Sequence, residues 1–224
     1  MSGRLLIKAA MRSADLGHLA DQIRRLEEAG IDALHFDVMD GRFVPELCMG
    51  PSFIRGLRKY TALPFEVHLL VEDPDACVPQ YLEAGADCLL LHIETTPNPR
   101  ASLASIRAQG RQAGLAIAPA TPARHVEPYL ELCDLVNVMT VAPGQPGAVD
   151  EGGVRNLIEV AELIRRTGGG QLVQVDGAVS VATRGRFVEA GAEALVAGFP
   201  IFSCDDFGQA IAGLRDRQLN VPVG

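Results

Sequence analysis

Four side chains that can bind a metal or move a proton fall at or near the ends of three apolar segments. His35 and Asp37 alternate with apolar residues, and His68 and Asp176 each follow a short apolar run. Because successive side chains of a strand point to opposite faces, His35 and Asp37 should lie side by side. Two imidazoles and two carboxylates suit Zn²⁺, Mn²⁺, Fe²⁺ or Co²⁺. For the His-x-Asp pair taken alone, the alternative is a buried histidine that hydrogen-bonds its aspartate neighbour.

The segments that carry these side chains belong to a regular alternation of strands and helices. The phrase Glu-Ala-Gly, followed by an apolar run, occurs at Glu28, Glu83 and Glu189, and each Gly is expected to end a helix in the left-handed conformation. Strands are predicted at residues 4–11, 33–39, 65–71, 88–93, 115–119, 135–141, 172–176 and 194–197. Helices are predicted at residues 14–29, 51–60, 75–84, 100–113, 125–132, 153–167, 180–190 and 205–218. Ser13 or Asp15 could cap the first helix, and Asp73 or Asp75 the third.

Continuous apolar strands that alternate with helices are typical of a parallel sheet, and a count of eight favours closure into a barrel. An open doubly wound sheet is the alternative, but no G-x-G-x-x-G follows the first strand. We therefore predict that residues 1–224 form one α/β domain, a single (β/α)8 TIM barrel. Catalysis in such barrels takes place at the carboxyl ends of the strands, where the four side chains and Met139 fall.

Composition narrows the possible partners and the compartment. The 224 residues carry a net charge of -8 with scattered Lys and Arg, which argues against binding to nucleic acid or to a membrane surface. The five cysteines show no C-x-x-C spacing, so we predict neither a disulfide framework nor a zinc knuckle, and we expect a cytoplasmic protein. We also predict no signal peptide and no membrane span, because the apolar runs are too short.

Seven motifs, found in order along nearly the whole chain, resemble those of a known family. They are Ser13-Ala-Asp15, His35-Phe-Asp-Val-Met-Asp-Gly-Arg-Phe-Val-Pro45, Val67-His-Leu69, Pro119-Ala-Thr-Pro122, Met139-Thr-Val-x-Pro-Gly144, Val175-Asp-Gly177 and Ala197-Gly198 with Ile201-Phe202. The chain thus resembles the ribulose-phosphate 3-epimerase family, with the related allulose-6-phosphate 3-epimerases as the nearest alternative branch. The resemblance implies a barrel of the ribulose-phosphate-binding type.

The resemblance also implies an isomerase that epimerises a ketose phosphate at C3, by default D-ribulose 5-phosphate to D-xylulose 5-phosphate. It implies that one divalent metal ion is held by His35, Asp37, His68 and Asp176. Removing a proton beside a ketone creates an enediolate, which such an ion stabilises. It further implies that Asp37 and Asp176 are the catalytic acid/base pair, because inversion needs one carboxylate on each face of the substrate.

The residues implied to bind substrate are Met39, His68, Met139, Gly144, Gly147, Gly177, Ala178, Gly198 and Phe199. Met39 and Met139 match methionines that cover the enediolate, although both are equally typical of ordinary barrel filling. Backbone N–H groups after the last three strands are expected to hold the phosphate. Arg42, in the loop after the second strand, could reach an anionic substrate or could simply be a solvated loop residue.

Several departures from the family pattern cluster at the expected substrate site. The pair Ala9-Ala10 replaces Pro-Ser, Gly198-Phe199-Pro200 replaces Gly-Ser-Ala, and Ala178 replaces a Gly. Ala118 stands where Asn is common, and Ala142 where Asn or Asp is common. In the loop Gly144-Gln-Pro-Gly-Ala148, Pro146 removes a backbone donor. These changes favour a second hypothesis, the same chemistry on allulose 6-phosphate, a tetrulose phosphate or an unphosphorylated sugar. A ligand-binding barrel without turnover is a third. A homo-oligomer is expected because related barrels are often dimers or hexamers.

Overall fold

Eight parallel strands close into a barrel in the computed structural model, which describes residues 4–216. The pairing of β1 with both β2 and β9 closes the sheet, and the two-residue β3 is added antiparallel to the end of β2. The strands are β1 (Leu6–Ala10), β2 (Ala33–Asp40), β3 (Leu47–Cys48), β4 (Phe65–Leu70), β5 (Cys88–His92), β6 (Gln112–Ile117), β7 (Leu135–Met139), β8 (Leu172–Asp176) and β9 (Ala194–Ala197). The predicted (β/α)8 TIM barrel is confirmed.

α-Helices follow every barrel strand except β6, which is followed by 3-10 turns. The α-helices are α1 (Leu19–Glu28), α2 (Pro51–Arg58), α3 (Pro74–Glu83), α4 (Pro99–Ala108), α5 (Glu151–Thr167), α6 (Arg184–Glu189), α7 (Phe199–Phe202) and α8 (Phe207–Arg215). Alternate strand residues such as Phe36 and Val38 join the main apolar core, which also includes buried side chains of the helices. The other face of each strand lines the barrel interior. Successive residues of one strand therefore alternate between side chains that pack in the core and side chains that are available for chemistry.

The three Glu-Ala-Gly junctions have the predicted conformation. Gly30, Gly85 and Gly191 have φ of +73°, +102° and +109°, in the region where a Cβ is costly, and each leads into a barrel strand. The predicted cap of α3 is also confirmed, since the side chain of Asp73 accepts a hydrogen bond from the N–H of Ala76. Among residues 4–216, no helix combines the length and the apolar character that crossing a membrane requires.

The predicted start of the first helix is wrong, because α1 begins at Leu19 and neither Ser13 nor Asp15 caps it. Asp15 instead accepts from the N–H of Gly17 at 2.9 Å and contacts the His18 ring at 2.7 Å, which forms a separate turn. Ser13 ends a 3-10 turn that directly follows β1.

Four other predicted helices differ from the structure, and the strand predicted at 115–119 is found at Gln112–Ile117 as β6. The helix predicted at 100–113 ends at Ala108, since β6 begins at Gln112. The segment predicted as a helix at 125–132 consists mainly of 3-10 structure, and α6 and α8 are shorter than the predicted 180–190 and 205–218. Residues 217 and 218 of the last prediction lie outside the described part of the chain.

Candidate active site

The four predicted metal ligands meet at one end of the barrel. His35 and Asp37 lie on β2, His68 lies on the neighbouring β4, and Asp176 is the last residue of β8. Each residue offers one ligand atom, and these atoms all lie within 4.8 Å of one another. The register of the sheet explains part of this convergence, because Asp37 and His68 are direct neighbours across β2 and β4.

Each imidazole directs one nitrogen at both carboxylates. Nε2 of His35 lies 3.2 Å from Oδ1 of Asp37 and 3.6 Å from Oδ2 of Asp176. Nδ1 of His68 lies 3.2 Å from Oδ1 of Asp37 and 3.5 Å from Oδ2 of Asp176. Two nitrogen and two oxygen donors therefore surround one small space.

These donors fit a divalent cation. Oδ2 of Asp176 is buried and has no hydrogen-bond partner among the described residues. A buried carboxylate oxygen without a partner is costly, and a bound cation would satisfy it. The mixed nitrogen and oxygen set is of the kind that binds zinc and neighbouring transition metals.

The electrostatics of the cluster favour the charged form of Asp37. Burial opposes ionisation of Asp37, but the charge of His35 and hydrogen bonds from His35 and His68 hold its pKa well below the usual range. Burial alone would lower the pKa of His35, yet Asp37 and the hydrogen bond to Glu66 raise it to about 10. Burial likewise opposes the charge of His68, but the neighbouring carboxylates of Asp176 and Asp37 outweigh it and raise the pKa of His68. The negative charge of Asp37 thus favours the charged forms of the two histidines.

A buried polar layer lies directly behind His35. Oε1 of Glu66 lies 2.8 Å from Nδ1 of His35 and accepts a hydrogen bond from Nε2 of Gln174, also at 2.8 Å. The other carboxylate oxygen pairs with the buried ammonium of Lys8. Burial would raise the pKa of Glu66, but the charge of Lys8 and the contact with His35 lower it. Glu66 therefore fixes the His35 ring with Nε2 turned toward the site.

A second histidine supports His68 from its other side. The ring of His92 stacks on that of His68 with centroids 5.0 Å apart and planes inclined by 19°. Nδ1 of His92 lies 2.8 Å from a carboxylate oxygen of Glu94. Burial opposes the charge of Glu94, but its hydrogen bond with His92 lowers the pKa of Glu94 to about 2. No sequence pattern gave a role to Glu66, Gln174, His92 or Glu94. The available signal was a polar residue inside an otherwise apolar strand, or directly after one in the case of Glu94.

The two carboxylates of the cluster open into a pocket of about 280 Å³. The predicted site residues that line it are Asp37, Met39, Met139, Gly144, Gly147, Asp176, Gly177, Ala178, Gly198 and Phe199. His35 and His68 are fully buried and do not line the pocket, so His68 reaches the cluster but lies outside the predicted substrate surface. Met39 and Met139 are also nearly buried and form a small apolar cluster beside the carboxylates.

Most of the departures noted in the sequence lie on the wall of this pocket. Ala10, Pro146 and Pro200 line it, whereas Ala118 and Ala142 do not. The side chain of Phe199 is 77% exposed at the mouth. Ala178 has a φ of +49°, which is uncommon for a residue with a Cβ and marks a tight turn after β8.

The pocket also includes charged and polar residues that sequence analysis did not assign to it. Arg12 and Ser13 line it from the turn after β1. Arg42, the basic residue considered from sequence, does not line it and lies 3.4 Å from Glu72 on the surface. Only the closed barrel shows which loop arginine faces the pocket.

Comparison with known proteins agrees with the motifs. Residues 6–202 match the model of the ribulose-phosphate 3 epimerase family. A ribulose-phosphate 3-epimerase of Synechocystis is 35% identical, covering 99% of this chain and 98% of its own. The Bacillus subtilis enzyme of that name is 37% identical, with 94% and 99% covered. A solved 3-hexulose-6-phosphate synthase, 18% identical, superimposes with a TM-score of 0.69 over 94% of this chain and 98% of its own, a likeness of fold alone.

Proposed function

Because the chain belongs to the ribulose-phosphate 3-epimerase family, it is a carbohydrate epimerase, and we propose that it inverts C3 of a ketose phosphate. The observation that carries this proposal is the position of Asp37 and Asp176. Both carboxylates line the pocket, and both belong to the four-residue cluster. A pair of bases at one site is what inversion of a carbon centre requires.

We propose that His35, Asp37, His68 and Asp176 hold one divalent ion, which is Zn, Fe, Mn or Co. When bound, such an ion would stabilise the negative charge that develops on the substrate as its proton leaves. Glu66 holds His35 in the ligating orientation, and the stacked His92 holds His68.

Asp37 and Asp176 move the protons. One of them removes the proton from C3, and the other returns a proton to the opposite face. Met39 and Met139 lie beside them and offer no exchangeable proton, so proton exchange is confined to the two carboxylates. The backbone at Gly144, Gly147, Gly177, Ala178, Gly198 and Phe199 lines the rest of the pocket and contacts the distal part of the substrate.

D-Ribulose 5-phosphate is the first substrate to test, since relatives that match nearly the whole chain are named for ribulose phosphate. Ala10, Pro146 and Pro200 on the pocket wall favour a second candidate, the same chemistry on allulose 6-phosphate, a tetrulose phosphate or an unphosphorylated ketose. A barrel that binds a ligand without turnover has less support, because it would have no use for four convergent buried ligands. The homo-oligomer and the cytoplasmic location stay predictions.

The test is a panel of ketoses incubated with the protein in D₂O and followed by NMR. We expect the true substrate to be converted to its C3 epimer with deuterium incorporated at C3, and the purified protein to contain a transition metal. If the protein converts none of the phosphorylated ketoses, the proposal is contradicted.

The metal assignment has its own variant. His68→Ala should leave a folded barrel with little metal and little turnover, because a ligand at a strand end is lost. His125→Ala is the matched control, since His125 is exposed and only contacts a backbone carbonyl. Metal content in His68→Ala equal to that of the control would exclude His68 as a ligand.

A further inference from the structure

The charge of the pocket wall poses a problem for an anionic substrate. The deepest lining groups, Asp37 and Asp176, are carboxylates. At the mouth, Pro146 and Pro200 have no N–H to donate to a phosphate. Backbone N–H groups carry no net charge, so a cationic side chain on the wall would add attraction for a phosphate that the two carboxylates repel.

Arg12 supplies such a charge. Of the residues in the range 4–216 that line the pocket, it alone is a lysine or arginine. Lys8 is nearby in sequence but is buried behind the site and is neutralised by Glu66. A guanidinium is planar, always charged, and able to donate two parallel hydrogen bonds to a phosphate.

The turn that carries Arg12 packs against the end of β9. A Cβ placed on Gly198 would lie 3.0 Å from the Cβ of Ser13 and 3.3 Å from that of Ala10. Arg12 lies between these two residues in the chain, so it belongs to a segment in direct contact with the Gly198–Pro200 turn. This is the part of the wall where Pro200 removes a donor.

The present partner of Arg12 can be exchanged. Nη2 of Arg12 donates to Oε2 of Glu46 at 2.6 Å, and the two side chains are 34% and 43% exposed. Ion pairs with this exposure stabilise a fold little, so exchanging Glu46 for a phosphate dianion costs little. The pair keeps the guanidinium at the pocket until the substrate arrives.

We propose that Arg12 is a specificity-determining residue that binds the phosphate of the substrate and releases Glu46 when it does so. This inference rests on the proposed function and adds the residue that selects a phosphorylated ketose over an unphosphorylated one. It assigns Arg42, in the neighbouring loop, no part in the selection, because Arg42 does not line the pocket.

The test compares Arg12→Met with Arg42→Met as the matched control. Inorganic phosphate is titrated into each full-length protein by calorimetry, once as purified and once after chelator treatment, which removes any metal as a phosphate ligand. We expect Arg12→Met to weaken phosphate binding roughly tenfold to a hundredfold in both titrations, the effect of losing a charge-assisted hydrogen bond. Arg42→Met should bind phosphate as the wild type does, and Glu46→Gln at least as tightly.

Kinetics give the second readout. With the phosphorylated substrate, Arg12→Met should raise KM by a similar factor and leave kcat within a few-fold, whereas activity on an unphosphorylated ketose should not fall. Equal phosphate affinity in Arg12→Met and Arg42→Met would overturn the inference even if the protein is an active epimerase. Phosphate binding that depends on Arg12 in a protein that epimerises no ketose would uphold Arg12 as a phosphate ligand and contradict the proposed function instead.

Discussion

The floor and the rim of the pocket are built in different ways. The floor consists of Asp37 on β2 and Asp176 on β8, with the fully buried His35 and His68 behind them. His35 is held in turn by its hydrogen bond to the buried Glu66. The rim consists of loop and turn residues such as Pro146 and Phe199, several of them exposed and apolar. The contrast indicates that the strands determine the chemistry and that the loops determine which sugar reaches it.

The largest effect should come from the floor. Asp37→Asn or Asp176→Asn should lower kcat for epimerisation by about 10²- to 10⁴-fold, the contribution of a general acid or base. One of the two variants should still exchange the C3 proton for deuterium, since abstraction from one face needs only one base. NMR of the substrate in D₂O measures both rates, and near-normal epimerisation by both variants would show that the floor does not perform the proton transfer.

Substitutions in the polar layer behind the floor, which includes Glu66 and Lys8, should change the stability of the fold. Glu66→Gln leaves the buried Lys8 without its countercharge, which should lower the free energy of unfolding by about 3–5 kcal/mol. The double variant Lys8→Met with Glu66→Gln removes both charges and should recover much of that loss. Urea denaturation of the two proteins gives the comparison; equal stability would mean that Lys8 and Glu66 do not act as a pair.

The rim should respond in specificity. Ala10→Ser, Phe199→Ser and Pro200→Ala together restore polar groups at the mouth and should raise kcat/KM for D-ribulose 5-phosphate roughly tenfold to a hundredfold. Leu47→Ser is the control, because Leu47 is similarly exposed but lies off the pocket. Steady-state kinetics on the ketose panel decides. If the triple variant and the control have the same substrate preference, the floor alone sets specificity.

The smallest expected effect is a difference in stability between substitutions at two glycines of one rim loop. Gly144 has a φ of +71°, and a Cβ there would lie 2.8 Å from Val44, whereas a Cβ on Gly147 would meet Val141 at 3.8 Å. Gly144→Ala should lower the free energy of unfolding by about 1–2 kcal/mol, the cost of a left-handed residue, and Gly147→Ala should not. Thermal unfolding compares them, and equal melting temperatures would show that the loop adapts without strain.

The fold was predictable because its signals are local. Each Glu-Ala-Gly phrase marks a helix end in its own seven residues, and Gly30, Gly85 and Gly191 all have the expected positive φ. The start of α1 was not predictable from capping preferences alone. Asp15 can cap a helix or close a turn, and its bonds to Gly17 and His18 close a turn here.

In the candidate site, too, the residues marked by a local pattern were predictable and those that depend on long-range contacts were not. His35 and Asp37 were assigned from alternation along one strand, which fixes their common face. The roles of Glu66 and Gln174 depend on contacts between side chains 108 residues apart, which no local pattern encodes. Arg12 and Arg42 look alike in sequence, and only their orientation in the closed barrel distinguishes them.

The order of the strands also has a consequence for synthesis. His35, Asp37 and His68 are made early, but Asp176 lies on β8, next to the last strand of the barrel. A ribosome-bound chain that has not yet released β8 therefore lacks one of the four proposed ligands and still has an open sheet. We expect the complete ligand set to form only after the barrel is almost finished. An ion captured at that moment would link β2 and β4 to β8 and would favour the finished fold by mass action.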